Sequence, residues 1–221
     1  DTAVMLKGEA VKSFTLMFSQ ISNASDRGME DCTRYLAASG PAEAAGWVAP
    51  YGDSPFDDEN VAEMVYMDIL NRARKYVHIM TPYLIIDHEM VTALLFAAKR
   101  GVDVKIVTPG WPDKKTVFAL TRSYYKELVE GGVQIYEYSP GFIHAKSFVS
   151  DGTTAVTGSI NLDYRSLYLH FECAALMYRT PAVEAIEADF QATLAKCRRI
   201  TREDCMKDKL TRRVTGWLLR P

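Results

Sequence analysis

Residues Gly141 to Glu172 read GFIHAKSFVSDGTTAVTGSINLDYRSLYLHFE, and the fold is decided in this stretch. Side chains two apart on an extended strand share a face, so His144 and Lys146 project together while Ile143, Ala145 and Ser147 face the other way. Asp151-Gly152 is a strong signal for a two-residue hairpin, whose central positions need positive φ. The chain then returns along 154–158 and brings Ser159 and Asn161 toward the end of the sheet that holds His144 and Lys146. An imidazole, an ammonium, a hydroxyl and an amide converge there.

Outward from this hairpin, strands alternate with helices, the pattern of an α/β domain with helices covering a sheet. Helices are expected over residues 58–74, 88–99, 114–130 and 182–196. Strands are expected over 47–50, 76–81, 104–108, 134–138, 142–150, 154–158 and 170–178. Gly101 and Gly131-Gly132 follow helices, where a residue of positive φ commonly ends the run. Upstream, 2–6 look like a strand, and Gly8 separates them from a helical face of Val11, Phe14, Met17, Phe18 and Ile21. The Ser-, Asn-, Gly- and Ala-containing residues 23–45 read as a linker with a short helix near 31–38. The expected organisation is a leading segment 1–22, a linker 23–45, an α/β domain 46–200 and a basic tail 201–221.

Composition bounds the function. Of 221 residues, 48% are hydrophobic and 24% charged, the balance of a folded globular domain. The net charge of −2 hides an asymmetry: residues 196–221 hold nine Lys/Arg against three Asp/Glu, so the body is acidic and unsuited to nucleic acid. Cys32, Cys173, Cys197 and Cys205 form no CxxC pair and read as reduced thiols. With His78, His88, His144 and His170 they show no metal-ligand spacing, so no metal and no cofactor are expected. Nothing approaches the roughly 18 consecutive apolar residues of a membrane span, so the chain as it stands is expected to be soluble.

The converging groups suit one chemistry. A neutral imidazole can attack phosphorus in line, while an ammonium, a hydroxyl and an amide N–H₂ stabilise the equatorial oxygens. A carboxylate on the second ring nitrogen would fix the tautomer, and Glu172 on a later strand is the candidate.

His144-x-Lys146, four residues, Asp151, six residues and Gly158-Ser159-x-Asn161 together resemble the signature of the phospholipase D superfamily. NLDYRSLYLHFE, Thr81–Leu84 (TPYL) and Gly101–Pro109 (GVDVKIVTP) are similar to the second half of bacterial cardiolipin synthases. One departure is Ile86, where relatives often have proline, and only a local change in that loop is expected. The resemblance implies a phospholipase D-like fold, a mixed β-sheet with helices on both faces. It makes His144 the nucleophile or the general acid, with Lys146, Ser159 and Asn161 binding phosphate, Asp151 supporting the motif and Glu172 orienting His144.

It also implies that residues 1–20 close a first catalytic half whose own histidine-lysine motif lies elsewhere, in a longer bacterial membrane protein with its catalytic domain on the cytoplasmic face. The implied activity is phosphatidyl transfer, making cardiolipin and glycerol from two phosphatidylglycerols. The partners are then anionic lipid and either the complementary half or a second copy of the chain. Two other readings stay open: a homodimeric phosphodiesterase or nuclease, and a non-catalytic lipid-binding half.

Other residues have plainer expectations. His78, His88 and His170 read as structural, Tyr83 as packed in the core rather than at the entrance, and one of Tyr124 and Tyr125 as core. Arg165 is balanced between phosphate contact and structural pairing. In the tail, Leu210, Val214, Trp217 and Leu218 fall on one helical face with Lys209, Arg212, Arg213 and Arg220 mostly on the others, a pattern suited to an anionic bilayer or to docking on the domain.

Overall fold

The computed structural model describes residues 1–25, 31–36, 45–56 and 59–207. In chain order the elements are α1 (Ala10–Ser25), a 3₁₀ turn (Thr33–Tyr35), β1 (Trp47–Asp53), α2 (Val61–Arg72), β2 (Tyr76–Met80), β3 (Leu84–Ile85), α3 (His88–Lys99), β4 (Asp103–Pro109) and α4 (Lys115–Glu130). There follow β5 (Gln134–Tyr138), β6 (Ser147–Ser150), β7 (Thr154–Gly158), β8 (Leu162–Asp163), α5 (Tyr164–Tyr168), β9 (Glu172–Tyr178), α6 (Pro181–Leu194), β10 (Cys197–Arg199) and α7 (Arg202–Lys207).

The hairpin forms where its turn chemistry demands. Asp151 and Gly152 have φ of 54° and 66°, and Thr153 N–H donates to Ser150 O at 3.0 Å. Ser147 then pairs with Thr157 and Ser150 with Thr154. The eight-stranded sheet runs β1-β9-β7-β6-β2-β4-β5-β10. β2, β4 and β5 are parallel and the remaining pairs antiparallel, so the sheet is mixed. Alternation along each strand gives it two apolar faces. On one, Ile79, Ile106, Ile135, Phe148 and Val156 meet Leu70, Leu94 and Leu128 of the first three sheet-covering helices. On the other, α6 sets Phe190 against Met80 and Val107, and Val183 and Ile186 against Val149 and Ala155.

Tyr66 of α2 stacks on Phe148 at 3.9 Å between centroids and donates its hydroxyl to Ile160 O at 3.1 Å. It thereby holds β6, and the loop between β7 and β8, under α2.

The expected strand over 142–150 is shorter in the fold, beginning at Ser147. β6 has β2 as partner only as far as Met80, beyond which Thr81-Pro82 turns away and proline lacks the N–H a ladder needs. Residues 142–146 therefore cross the end of the sheet. Residues 2–6 form no ladder either, because β1 occupies the free edge of β9. Val4 packs on the α6 side instead. β3 and β8, paired through Leu84 with Leu162 and Ile85 with Asp163, are too short to register in a pattern. α7, at the start of the expected tail, docks on the domain through Arg202 to Glu130 at 3.1 Å and Asp204 to Arg198 at 3.1 Å. The amphipathic stretch from Lys209 to Arg220 lies outside the described residues.

Candidate active site

Strand directions gather the motif at one edge of the sheet. The parallel strands end there, β6 begins where β2 ends, β7 ends there at Gly158, and β9 begins there at Glu172. Gly158 is required: a Cβ would lie 2.3 Å from Cys173 O and 2.6 Å from Ala174 Cα. Only glycine lets β7 and β9 meet so closely, and Ser159 N–H donates to Cys173 O at 2.9 Å across that contact.

His144 and Lys146 do project together. The Lys146 ammonium lies 2.9 Å from His144 Nε2, 3.0 Å from Nδ1 and 2.6 Å from the His144 carbonyl oxygen. Ile143 and Ala145, on the other face, are buried against Met80 and Val107, which fixes the loop. Lys146 is buried, while the His144 side chain is 50% exposed. Partial burial and then the Lys146 charge lower the imidazole pKa, which favours the neutral ring. Burial brings Lys146 down to about 8 against the carboxylates of Glu172 and Asp163, which hold it up. It therefore remains mainly charged at neutral pH.

Glu172 differs from expectation. Its carboxylate accepts from Ser159 Oγ and from Ser166 Oγ at 2.9 Å, and it lies 3.2 Å from His170 Nδ1. The carboxylate beside the His144 ring is that of Asp1, at 3.2 Å from Nδ1. Two serine hydroxyls and an imidazole satisfy the Glu172 oxygens locally, and Asp1 reaches His144 because the leading segment runs along the same edge. Asn161 is also turned otherwise. Its amide donates to Asp163, and its oxygen is buried without a hydrogen-bond partner.

Asp151 stands apart from the cluster, at the opposite end of β6. Its carboxylate accepts the backbone N–H groups of Arg74, Lys75 and Tyr76 at 2.8, 2.8 and 2.9 Å. Motif spacing places it in the signature; strand direction places it in the hairpin turn. It ties that turn to the start of β2 and does not touch His144 or Lys146.

Tyr83, expected in the core, is only half-buried at the entrance. Its hydroxyl donates to Asp113 at 2.5 Å, and its ring lies 6.3 Å from Phe142, itself 6.0 Å from His144. Asp113 raises the His144 pKa in part and was missed: a lone Asp in a WPDKK loop carries no pattern. His78 is structural, 3.0 Å from Glu187 and stacked between Tyr76 and Phe190. His88 is exposed at the start of α3. His170 instead joins the Glu172 cluster, with Arg165 3.4 Å from its Nε2. Tyr124 and Tyr125 are both buried. All four cysteines are free and half-buried. Among the described residues no group of three or more His, Cys, Asp or Glu is arranged to hold a metal ion, and no helix is long and apolar enough to cross a membrane.

The comparisons fit this geometry. Residues 66–194 match the family model described as the phospholipase D-like domain of cardiolipin synthase. An uncharacterized protein of Streptococcus mutans is 54% identical over all of this chain and 48% of its own length. Cardiolipin synthase 2 of Bacillus anthracis is 36% identical over 97% of the chain and 42% of its own length. The chain thus spans about half the length of the curated relatives it matches. Among solved structures, Haemophilus influenzae phosphatidylserine synthase has a TM-score of 0.63 at 17% identity, over 78% of this chain and 44% of that one. Nuc from Salmonella typhimurium, a phospholipase D family member, has a TM-score of 0.59 at 23% identity, over 70% of this chain and 98% of that one. Both share the mixed sheet that carries the motif here. With the family model spanning α2 through α6 and relatives at 36% identity along almost the whole length, the chain belongs to the cardiolipin synthase family of phospholipase D-like domains.

Proposed function

We propose that this chain supplies one half of a phosphatidyltransferase active site that makes cardiolipin and glycerol from two phosphatidylglycerols. The observation that carries the reading is the half-exposed His144 ring set 2.9 Å from the buried Lys146 ammonium. In the first step a histidine nitrogen attacks phosphorus, the bond to the glycerol oxygen breaks, and a second histidine gives that oxygen its proton. In the second, the hydroxyl of another phosphatidylglycerol attacks, loses its proton to the same group and displaces the first histidine. His144 takes one of these two parts, and the complementary histidine comes from the other half of the longer protein. Lys146 and Ser159 neutralise the charge on the equatorial oxygens, and Asn161 joins them once its amide turns from Asp163. Glu172 holds Ser159 in place.

Assay of phosphatidylglycerol turnover by this chain alone, and after adding the complementary half, tests the proposal. Cardiolipin and glycerol should appear only in the mixture. A two-fold pair of identical chains would instead give turnover of a phosphodiester by this chain alone. The acidic body disfavours DNA as that substrate, since its phosphates call for a basic face. Phosphate or vanadate should protect His144 in either case, and binding of anionic lipid without any turnover by the mixture would reduce the chain to a binding module.

A further inference from the structure

Asp163 lies outside the family signature, yet it is tied to several groups at the end of the sheet that holds Lys146 and Asn161. It is 6% exposed and belongs to β8, paired with Ile85. Its Oδ1 accepts Ser166 N–H at 2.8 Å as the N-cap of α5, and its carboxylate also takes hydrogen bonds from the Asn161 amide and the Arg165 N–H. Ser166, so placed, donates its hydroxyl to Glu172, which holds Ser159. The Lys146 ammonium, reached through the crossing loop, feels both Asp163 and Glu172. Tyr83, from the segment between β2 and β3, feels Asp163 as well. Burial, helped by the Glu172 charge, raises the Asp163 pKa, and the hydrogen bonds from Ser166, Asn161 and Arg165 oppose that rise. A buried carboxylate costs several kcal/mol unless it is bonded and paired, so a mere helix cap, which Asn or Ser performs equally well, gives no reason for a charge here.

We propose that Asp163 is a positioning residue of the centre: its carboxylate orients Asn161 and the start of α5 and, with Glu172, supplies the counter-charge of the buried Lys146 ammonium. This rests on the reading of the site as a phosphatidyl-transfer centre. Cap and counter-charge separate chemically. Asp163→Asn keeps an oxygen for Ser166 N–H and is a good N-cap, but removes the charge. Asp163→Ala removes both.

Tungstate, a dianion throughout pH 6–10, reports the charge of the phosphate-binding groups in the intact protein without requiring turnover. Its affinity, measured by calorimetry against pH, should fall through a midpoint near the Lys146 value of about 8 in the wild type. In Asp163→Asn, folded and melting near the wild-type temperature at pH 6, the midpoint should drop by about one unit, since Asp163 is one of the two carboxylates that hold the Lys146 value up. The alkaline limb of kcat/KM for phosphatidylglycerol should drop with it, an approximately eightfold loss of protonated Lys146 at pH 8.5 for a one-unit shift from about 8. Unchanged midpoints in a folded Asp163→Asn protein, with loss confined to Asp163→Ala, would reduce Asp163 to a helix cap and overturn the proposal. A shifted tungstate midpoint in a protein that turns over no phosphatidylglycerol would uphold the counter-charge and reject the phosphatidyl-transfer reading.

Discussion

Replacing Asp151 by alanine should loosen the hairpin's hold on the sheet rather than remove a catalytic group. In the folded chain three backbone N–H groups point at this carboxylate within 2.9 Å, and those of Tyr76, Arg74 and Lys75 lower its pKa against the cost of burial. Hydrogen bonds to a charged acceptor are worth about 1.5–3 kcal/mol each when buried. Partial solvation here brings the three together to ~2–4 kcal/mol, and alanine at φ 54° adds strain that Asp tolerates better. For a chain of this size that is ~5–15 °C in Tm. Asp151→Asn, keeping one acceptor oxygen and tolerance of the left-handed conformation, should lose about half as much. The lowered pKa means that the ionised form is favoured by folding. This stabilisation is present above the unfolded value near 3.9 and is lost as pH falls through the lower folded one, so the stability gap between wild type and Asp151→Asn should begin to close below about pH 4 and keep narrowing as the pH falls further. Urea melts at pH 7 and pH 3.5, with turnover measured at a temperature where each variant is folded, check this. An Asp151→Ala protein as stable as wild type but inactive would refute the structural assignment and return Asp151 to the chemistry.

Three further outcomes follow from named groups. His144→Ala in the full-length protein should fold normally and lose essentially all turnover, since no other group in this half can take the imidazole's part; circular dichroism with a lipid-product assay checks it, and near-normal turnover would contradict the site. Burial pushes Glu63, which faces Tyr168, Asp87 and Glu89, up to about 7, so the chain loses stability as pH rises from about 4.5 through 7 and Glu63→Gln should gain on the order of 1–2 kcal/mol at pH 8 relative to pH 5; equal pH dependence of Tm in both proteins would refute this. Deleting 208–221 should weaken sedimentation with phosphatidylglycerol vesicles at low salt and leave neutral vesicles unaffected, each surface cation being worth about 1 kcal/mol; equal binding would leave only a packing role for that stretch.

What could be read in advance was what depends on neighbours in sequence. The turn at Asp151-Gly152 and the facing of His144 with Lys146 are local, and α3, β5 and β7 have the expected bounds because periodicity and flanking residues agree there. What could not be read depends on distant chain. β3 and β8 are two residues each and join segments 77 residues or more apart in the chain, with Thr81 Oγ1 accepting Leu162 N–H at 3.0 Å beside them. The destination of the Asp151 carboxylate follows from the antiparallel run of β6, which carries a motif residue to the far edge. The chemistry a tautomer needs points to Glu172 as the partner of His144, whereas Ser159, Ser166 and His170 compete for it at shorter range in the chain. Asp163 and Asp113 carry no spacing signal, and only burial and contact reveal them.

The central claim is that His144 and Lys146 form half of a phosphatidyl-transfer centre, and one measurement bears on it most directly. The full-length protein, its wild type beside His144→Ala and Lys146→Ala, is given vesicles of phosphatidylglycerol labelled in the phosphate and in the headgroup glycerol, and both products are followed with time. The account predicts cardiolipin and free glycerol in equal amounts from the wild type, with none above background from His144→Ala and a loss in kcat of about 100-fold or more from Lys146→Ala. Phosphatidic acid in place of cardiolipin would replace transfer by hydrolysis at the same centre. Equal cardiolipin from all three proteins would contradict the account outright.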